Sequence, residues 1–185
     1  MKIMIIPGNG SPDMNSEIWY PYIKKELEII KSNIKIFEII IKNMPDPDLA
    51  RKDYWLPFIE QQLKGDENAI LIGHSSGAVA ILRYLEKHKV QGAILIGACY
   101  TDLGDVKEKA SGYFDGEWNW SKIKQNAKWI IQFASTNDPY IPIEEARHVR
   151  DKLHTEYYEY DDQGHFSSDV TFPELVEVLK RKLKY

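Results

Sequence analysis

The chain has 185 residues, the size of one domain and short for two. Hydrophobic residues make up 43% and charged residues 28%, with 11 Gly and 9 Pro, a balance that argues against a disordered or fibrous chain. The formal net charge of −4 disfavours nucleic acid as a partner, and the single cysteine, Cys99, rules out an internal disulfide.

Taken in chain order, the first apolar run is Ile3 to Ile6, stopped by Pro7-Gly8 and too short for a signal peptide. No later stretch approaches the ~18 apolar residues of a membrane span, so a cytoplasmic protein without a membrane partner is expected. Ile23, Leu27 and Ile30 then fall at helical spacing, and Ile36 to Ile41 is a second apolar run. Asn43 to Pro57 holds Pro45, Pro47 and Pro57 and reads as an irregular loop. The run Ala69 to Ile72 leads into a helical pattern of Ala78, Val79, Leu82 and Leu85, and Ala93 to Ile96 follows. Tyr100 to Trp120, rich in Gly, Trp and Tyr, reads as a second irregular segment.

Beyond it come the run Trp129 to Phe133 and a helix carrying Ala146, Val149 and Leu153. Pro142, Glu144 and Glu145 mark the start of that helix, and Arg150, Lys152 and His154 mark its end. Tyr157 to Tyr160 is a sixth, more polar strand candidate, and Thr171-Phe172-Pro173-Glu174 has capping-box spacing ahead of Leu175, Val178 and Leu179. Short Ile-rich runs bounded by Gly, Pro or Asn are typical of strands buried on both faces of a parallel sheet. Their alternation with helices predicts a single α/β domain over residues 1–185, with helices on both faces.

Directly after the run Ala69 to Ile72 stands Gly73-His74-Ser75-Ser76-Gly77, a Gly-x-Ser-x-Gly pattern between a strand and a helix. This composition yields only about 0.03 such patterns by chance, before the flanking context is required. In that context the turn is a nucleophile elbow: it is so sharp that the residues two either side of the serine must be small, and the hydroxyl stands exposed at the end of the sheet. Serine needs a base to take its proton, and the base needs a carboxylate to fix its tautomer. On this type of fold the partners follow in the order Ser, Asp or Glu, His. Asp138 lies in the turn Ser135-Thr136-Asn137-Asp138-Pro139, and His165 follows Asp161-Asp162-Gln163-Gly164, each after a predicted strand. Ser75, Asp138 and His165 are therefore the candidate catalytic residues. His74 is a rival base, but beside the nucleophile its side chain is expected to point elsewhere. His88, His148 and His154 are expected to lie solvated on helices.

The backbone N–H of Ser76 and one from the loop Pro7-Gly8-Asn9-Gly10, with Asn9 ahead of Gly10, are the expected oxyanion donors. Gly8-x-Gly10 does not extend to a dinucleotide fingerprint, because Asp13 stands where a third glycine is needed. No histidine or cysteine spacing suits a metal, so neither metal nor other cofactor is expected. The aromatic cluster Phe114, Trp118 and Trp120, with Trp55, is expected to line a pocket for small apolar or aryl esters and amides. The alternative is a catalytically silent protein-interaction module on the same fold.

Several stretches together resemble one family: Pro7-Gly8-Asn9-Gly10, Asn43-Met44-Pro45-Asp46-Pro47, Trp55-Leu56-Pro57-Phe58, Gly73-His74-Ser75-Ser76-Gly77, Ala110-Ser111-Gly112-Tyr113-Phe114 and Gly164-His165-Phe166. They are similar to the retinoblastoma-binding-protein-9 family of small serine hydrolases, almost end to end. The resemblance implies a minimal α/β-hydrolase with a six-stranded, mostly parallel sheet lacking the first two strands of larger relatives. It also implies a triad carried here by Ser75, Asp138 and His165, and hydrolysis of esters or amides. The family takes its name from a Leu-x-Cys-x-Glu motif that meets the retinoblastoma protein. The matching stretch here is Leu63-Lys64-Gly65-Asp66-Glu67, with Gly65 in place of the cysteine, so that partner is not expected.

Overall fold

The computed structural model describes residues 1–32 and 38–184. The elements in order are β1 (Lys2–Ile6), α1 (Tyr20–Lys31), β2 (Glu38–Ile41), α2 (Lys52–Leu63), β3 (Ile70–His74), α3 (Ser76–Leu85), β4 (Gly92–Ile96), α4 (Val106–Ser111), α5 (Trp120–Gln125), β5 (Ile130–Ser135), α6 (Ile143–Leu153), β6 (Glu156–Tyr160) and α7 (Pro173–Leu183). Every strand pair is parallel, and the six-stranded sheet has the order β2-β1-β3-β4-β5-β6. Of the expected strand Ile36 to Ile41, Ile36 and Phe37 lie outside the described residues.

The two-residue period of each strand divides its side chains between two cores. Ile3, Ile5, Ile70, Ile72, Ile94, Ile96, Ile131 and Phe133 point to the face covered by α1 and α7. Met4, Ile6, Leu71, Ala93 and Leu95 point to the face covered by α2, α3, α5 and α6. This two-sided burial is why the strands read as unbroken apolar runs. Gln132 is the polar exception. It is fully buried, donates from Nε2 to the Ala146 carbonyl at 2.7 Å and accepts from Thr155 Oγ1 at 3.2 Å.

β3 and β5 each run two residues beyond their apolar runs, because Gly73-His74 and Ala134-Ser135 still pair with the neighbouring strands. The segment expected to be loop up to Pro57 becomes helical from Lys52, with Pro57 inside the helix. Trp55, fully buried and donating from Nε1 to the Pro45 carbonyl at 2.7 Å, anchors that helix against the sheet. Tertiary packing thus outweighs the local cost of the proline. Tyr100 to Trp120 likewise contains α4. The expected capping box of α7 does not form: Phe172 is the N-cap, and no side chain closes the first turn. At the sheet's edge, β6 carries ion pairs: Glu159 with Arg147 at 2.6 Å, and Glu156 with Lys182 at 3.0 Å and with Arg181.

Arg83, 7% exposed, ties α3 to the aromatic segment. Its guanidinium donates to the carbonyls of Tyr113 (2.6 Å) and Glu117 (3.2 Å) and to the Glu86 carboxylate (2.8 Å), and stacks 3.6 Å above the Trp118 ring. Arg83→Met keeps the aliphatic stem but strands those acceptors. It is expected to cost about 3 kcal/mol in urea unfolding.

Candidate active site

The sheet brings the loops after β1, β3, β5 and β6 to one edge. The chain reverses its direction of travel across the sheet between β1 and β3, and in an open α/β sheet the crevice at such a switch is where ligands bind. Ser75 closes β3 and caps α3 with φ 54° and ψ −120°, a left-handed backbone that a residue with a Cβ adopts only under strain. Its N–H donates to the Ile96 carbonyl at 2.8 Å, which ties the turn to β4. The neighbours leave no room for larger residues. A Cβ on Gly73 would lie 2.5 Å from the Gly77 carbonyl oxygen, and one on Gly77 would lie 2.3 Å from that of Ile6. The turn is strained and crowded on both sides, and the serine hydroxyl makes no hydrogen bond among the described residues.

Asp138 and His165 meet as the chain order suggested. His165 Nδ1 lies 2.7 Å from Asp138 Oδ2, and the two side chains are 10% and 4% exposed. The other carboxylate oxygen, Oδ1, accepts the N–H groups of Tyr140 (2.9 Å) and Ile141 (3.0 Å). Burial pulls the Asp138 carboxyl upward. The hydrogen bond and charge of His165 and the two amides outweigh it and hold Asp138 below its usual range, so it accepts from the imidazole as an anion.

Ser75, His165 and Asn9 line one cavity of about 680 Å³. The loop after β1 lies directly on the serine, since a Cβ on Gly8 would be 3.7 Å from Ser75 Oγ. Within that loop the amides divide. Gly8 N donates to Tyr20 Oη at 3.2 Å and Gly10 N to the Pro47 carbonyl at 2.8 Å. The N–H of Asn9 has no acceptor among the described residues, while its side chain is held by Glu108 through Nδ2 at 3.2 Å. Gly10 is thereby removed as an oxyanion donor. Ser76, first residue of α3, has an amide with no intrahelical acceptor.

The aromatic residues expected in the pocket do not line this cavity. Trp55 is wholly buried under the sheet. Trp118 lies beneath Arg83 and donates from Nε1 to the Tyr100 carbonyl at 2.8 Å. Trp120 stacks on Trp118 at 5.5 Å, and Phe114 packs edge-on to Trp118 at 6.4 Å. Arg83 thus holds Trp118 and the carbonyls around it, and Trp120 and Phe114 pack on Trp118 in turn. The apolar lining comes instead from Ile18, Val79, Leu103, Tyr140 and Ile141, with Glu17, Asp105, Lys107 and Glu108 adding charge. Burial first, and then the charge of Asp105, raise the Glu108 carboxyl. Cys99 also borders the cavity, its thiol pushed up chiefly by burial.

The histidines are less uniform than expected. His154 is an exposed helix cap, but His148 stacks on Tyr100 at 3.8 Å and His88 on Tyr84 at 4.3 Å. His74 is buried and engaged at both ring nitrogens, its Nδ1 3.0 Å from Tyr20 Oη and its Nε2 2.7 Å from the His165 carbonyl. Glu145, read as a helix-start acid, is buried. It accepts from the N–H groups of Tyr100 (2.9 Å) and Thr101 (3.0 Å), fixing the loop after β4. Nothing in the local pattern separates Glu145 from its exposed neighbour Glu144. Among the described residues no three His, Cys, Asp or Glu side chains converge on a metal position, and no helix is long and apolar enough to cross a membrane.

A parallel sheet in this strand order, with a Gly-x-Ser-x-Gly elbow at its switch point, is the architecture of the α/β hydrolases. The chain belongs to the serine hydrolase family, whose profile matches residues 3–182. It is 48% identical over 182 residues to serine hydrolase RBBP9 of Rattus norvegicus, covering 98% of this chain and 95% of that protein. The Bacillus subtilis protein YdeN is 28% identical over 178 residues, covering 94% and 90%. The crystal structure of that ydeN gene product superposes with a TM-score of 0.84 at 26% identity, covering 100% of this chain and 99% of the other. Est1E from Butyrivibrio proteoclasticus shares the fold, with a TM-score of 0.73 at 12% identity over 100% of this chain and 88% of its own.

Burial above all, followed by the nearby His165, pulls the His74 imidazole from its ordinary 6.5 down to about 3. Over that interval the unfolded chain binds a proton that the native state refuses, so stability falls as pH falls, by about 1.4 kcal/mol per pH unit. His74→Gln removes the titrating group. Urea midpoints measured between pH 6.5 and 4 should therefore fall less steeply for the variant than for the wild type.

Proposed function

We propose that the chain hydrolyses small esters or amides through an acyl-enzyme formed on Ser75. The observation that carries this reading is the buried 2.7 Å contact between His165 and an ionised Asp138, bordering the cavity in which a strained elbow presents Ser75. Ser75 Oγ adds to the substrate carbonyl carbon while its proton passes to His165 Nε2, and Asp138 holds the Nδ1–H and stabilises the imidazolium. The amides of Ser76 and Asn9 hold the oxyanion. The C–O or C–N bond then breaks, the leaving alcohol or amine takes the proton from His165, and water enters by the same steps in reverse to release the acid. Apo structures commonly leave the serine–imidazole hydrogen bond open until substrate arrives.

The carboxylates of Glu17, Asp105 and Glu108 outnumber the one cation, Lys107, in the cavity wall, which favours neutral over anionic substrates. The exposed Tyr140 stands edge-on to His165 at 5.1 Å, where an acyl or leaving group would pass. Docking through the stretch Leu63 to Glu67 is not part of this reading. Leu63 is 1% exposed and Gly65 replaces the cysteine of that motif, so small molecules are the proposed partners, in the cytoplasm.

A fluorophosphonate probe should label the wild type and leave Ser75→Ala unlabelled. Ser75→Ala and His165→Ala should each lose up to about 10⁶ in kcat, and Asp138→Asn about 10⁴ because the wrong tautomer remains. Asp138 should contribute no step of its own to the acid side of the pH profile, because its carboxyl is already held low. Ester hydrolysis by purified Ser75→Ala at the wild-type rate would end the proposal.

Tyr140→Ala should change the ranking of aryl, short-acyl and long-acyl esters by kcat/KM. Trp118→Ala and Trp120→Ala should lower thermal stability and leave that ranking as it is. The reverse pattern would return the aromatic segment to the pocket.

A further inference from the structure

His74 and Tyr20, the first residue of α1, form a buried hydrogen-bonded chain that the acyl-transfer steps do not use. Its proton positions follow from donor and acceptor types alone. The His165 carbonyl can only accept, so the His74 nitrogen 2.7 Å away, Nε2, carries a hydrogen. In the neutral ring Nδ1 is then bare and accepts the Tyr20 hydroxyl at 3.0 Å. The Tyr20 oxygen in turn accepts the N–H of Gly8 at 3.2 Å. One polarised line therefore runs from the Gly8 amide through Tyr20 and His74 to the backbone of His165. Beside this line Trp19, the N-cap of α1, donates from Nε1 to the Phe166 carbonyl at 2.8 Å, so two successive carbonyls of the histidine loop are held, one from β3 and one from the start of α1.

We propose that Trp19, Tyr20 and His74 are positioning residues that lock the loop carrying Asn9 and the loop carrying His165 to one buried frame beside Ser75. The inference rests on the proposed roles of Asn9 and His165. Trp19 and Tyr20 are each 1% exposed and His74 4%, so water cannot replace a lost partner easily. Gly8 precedes Asn9, so the amide that Tyr20 holds sets the direction of the next one. His165 is held by its own carbonyl, so its ring pivots about a fixed backbone while Asp138 fixes the ring itself. The line has one direction only while His74 is neutral, and its burial keeps it so. Loops displaced by about 1 Å cost about 100-fold in rate, which is the scale on which such a frame acts.

The test uses Tyr20→Phe, which deletes one hydroxyl from the line, and His74→Gln, with Leu27→Ala as a control that loosens α1 without touching these groups. With p-nitrophenyl acetate, Tyr20→Phe and His74→Gln should lose about 10- to 100-fold in kcat with KM little changed, and their fluorophosphonate labelling should slow in proportion. Leu27→Ala, matched to them in melting temperature, should keep wild-type kcat. If Tyr20→Phe folds and retains kcat within about twofold, or if Leu27→Ala loses as much, the proposal falls. An independent readout needs no activity: ¹⁵N imidazole spectra of the wild type should show His74 neutral, with its proton on Nε2, from about pH 5 to 9. A proton on Nδ1, or a titration of His74 in that range, also overturns it. A wild type that is neither labelled nor active, yet shows this tautomer, would fail the reading of Ser75 and leave the frame intact.

Discussion

The site depends on a close backbone approach, where the start of α3 lies against the end of β1. Gly77 leaves no space for a Cβ beside the Ile6 carbonyl, and that approach fixes several things together. It seats α3 at the switch point of the sheet, where Ser75 holds a positive φ, and brings the Gly8–Asn9 turn against that serine. The loops carrying Ser76 and Asn9 are then neighbours in space because β1 and β3 pair in parallel register, Ile6 opposite Gly73. Strain at Ser75 is carried by the hydrogen bond to Ile96 and by an α3 that is buried along its whole length.

Around that approach, polar groups, most of them buried, reach across to the loops at the site. Glu145 holds the loop after β4, Glu108 holds Asn9, Arg83 holds the aromatic segment, and His74 holds the histidine loop. Each reaches from a regular element or an adjoining loop to a chain segment that has no sheet of its own. An apolar core packs by volume and tolerates sliding, whereas a directed hydrogen bond sets one arrangement.

The features readable in the sequence were those with a local signature. Ile3 to Ile6 and Ala93 to Ile96 announce buried parallel strands, and Gly73 and Gly77 announce the elbow, because the physical demand falls on neighbouring residues. Asp138 and His165 were legible through their order and their places after strands. The aromatic segment was misread because Trp118 and Trp120 carry no mark of direction. Trp118 is held by Arg83, far away in sequence, and Trp120 stacks on Trp118; no periodicity reports either contact. Thr171 and Glu174 have the spacing of a cap, but Phe172 is drawn into the core beside Phe133 and Phe166, and the turn follows it. Tyr20 and Glu145 act through partners in distant elements and gave no signal in their own surroundings.

The ion pairs on β6 bear on how this sheet ends. An outermost parallel strand offers a free row of backbone donors and acceptors to any extended chain that meets it. Here that strand carries Glu156 and Glu159, each engaged by a cation from α6 or α7. Although partial burial opposes it, the bonds from Arg181, Tyr158 and Lys182 hold the Glu156 carboxyl down to about 2, so its charge persists in acid. A second molecule adding a strand at this edge would have to desolvate those charges, so the same pairs that fasten α6 and α7 also guard the sheet against growing beyond its sixth strand.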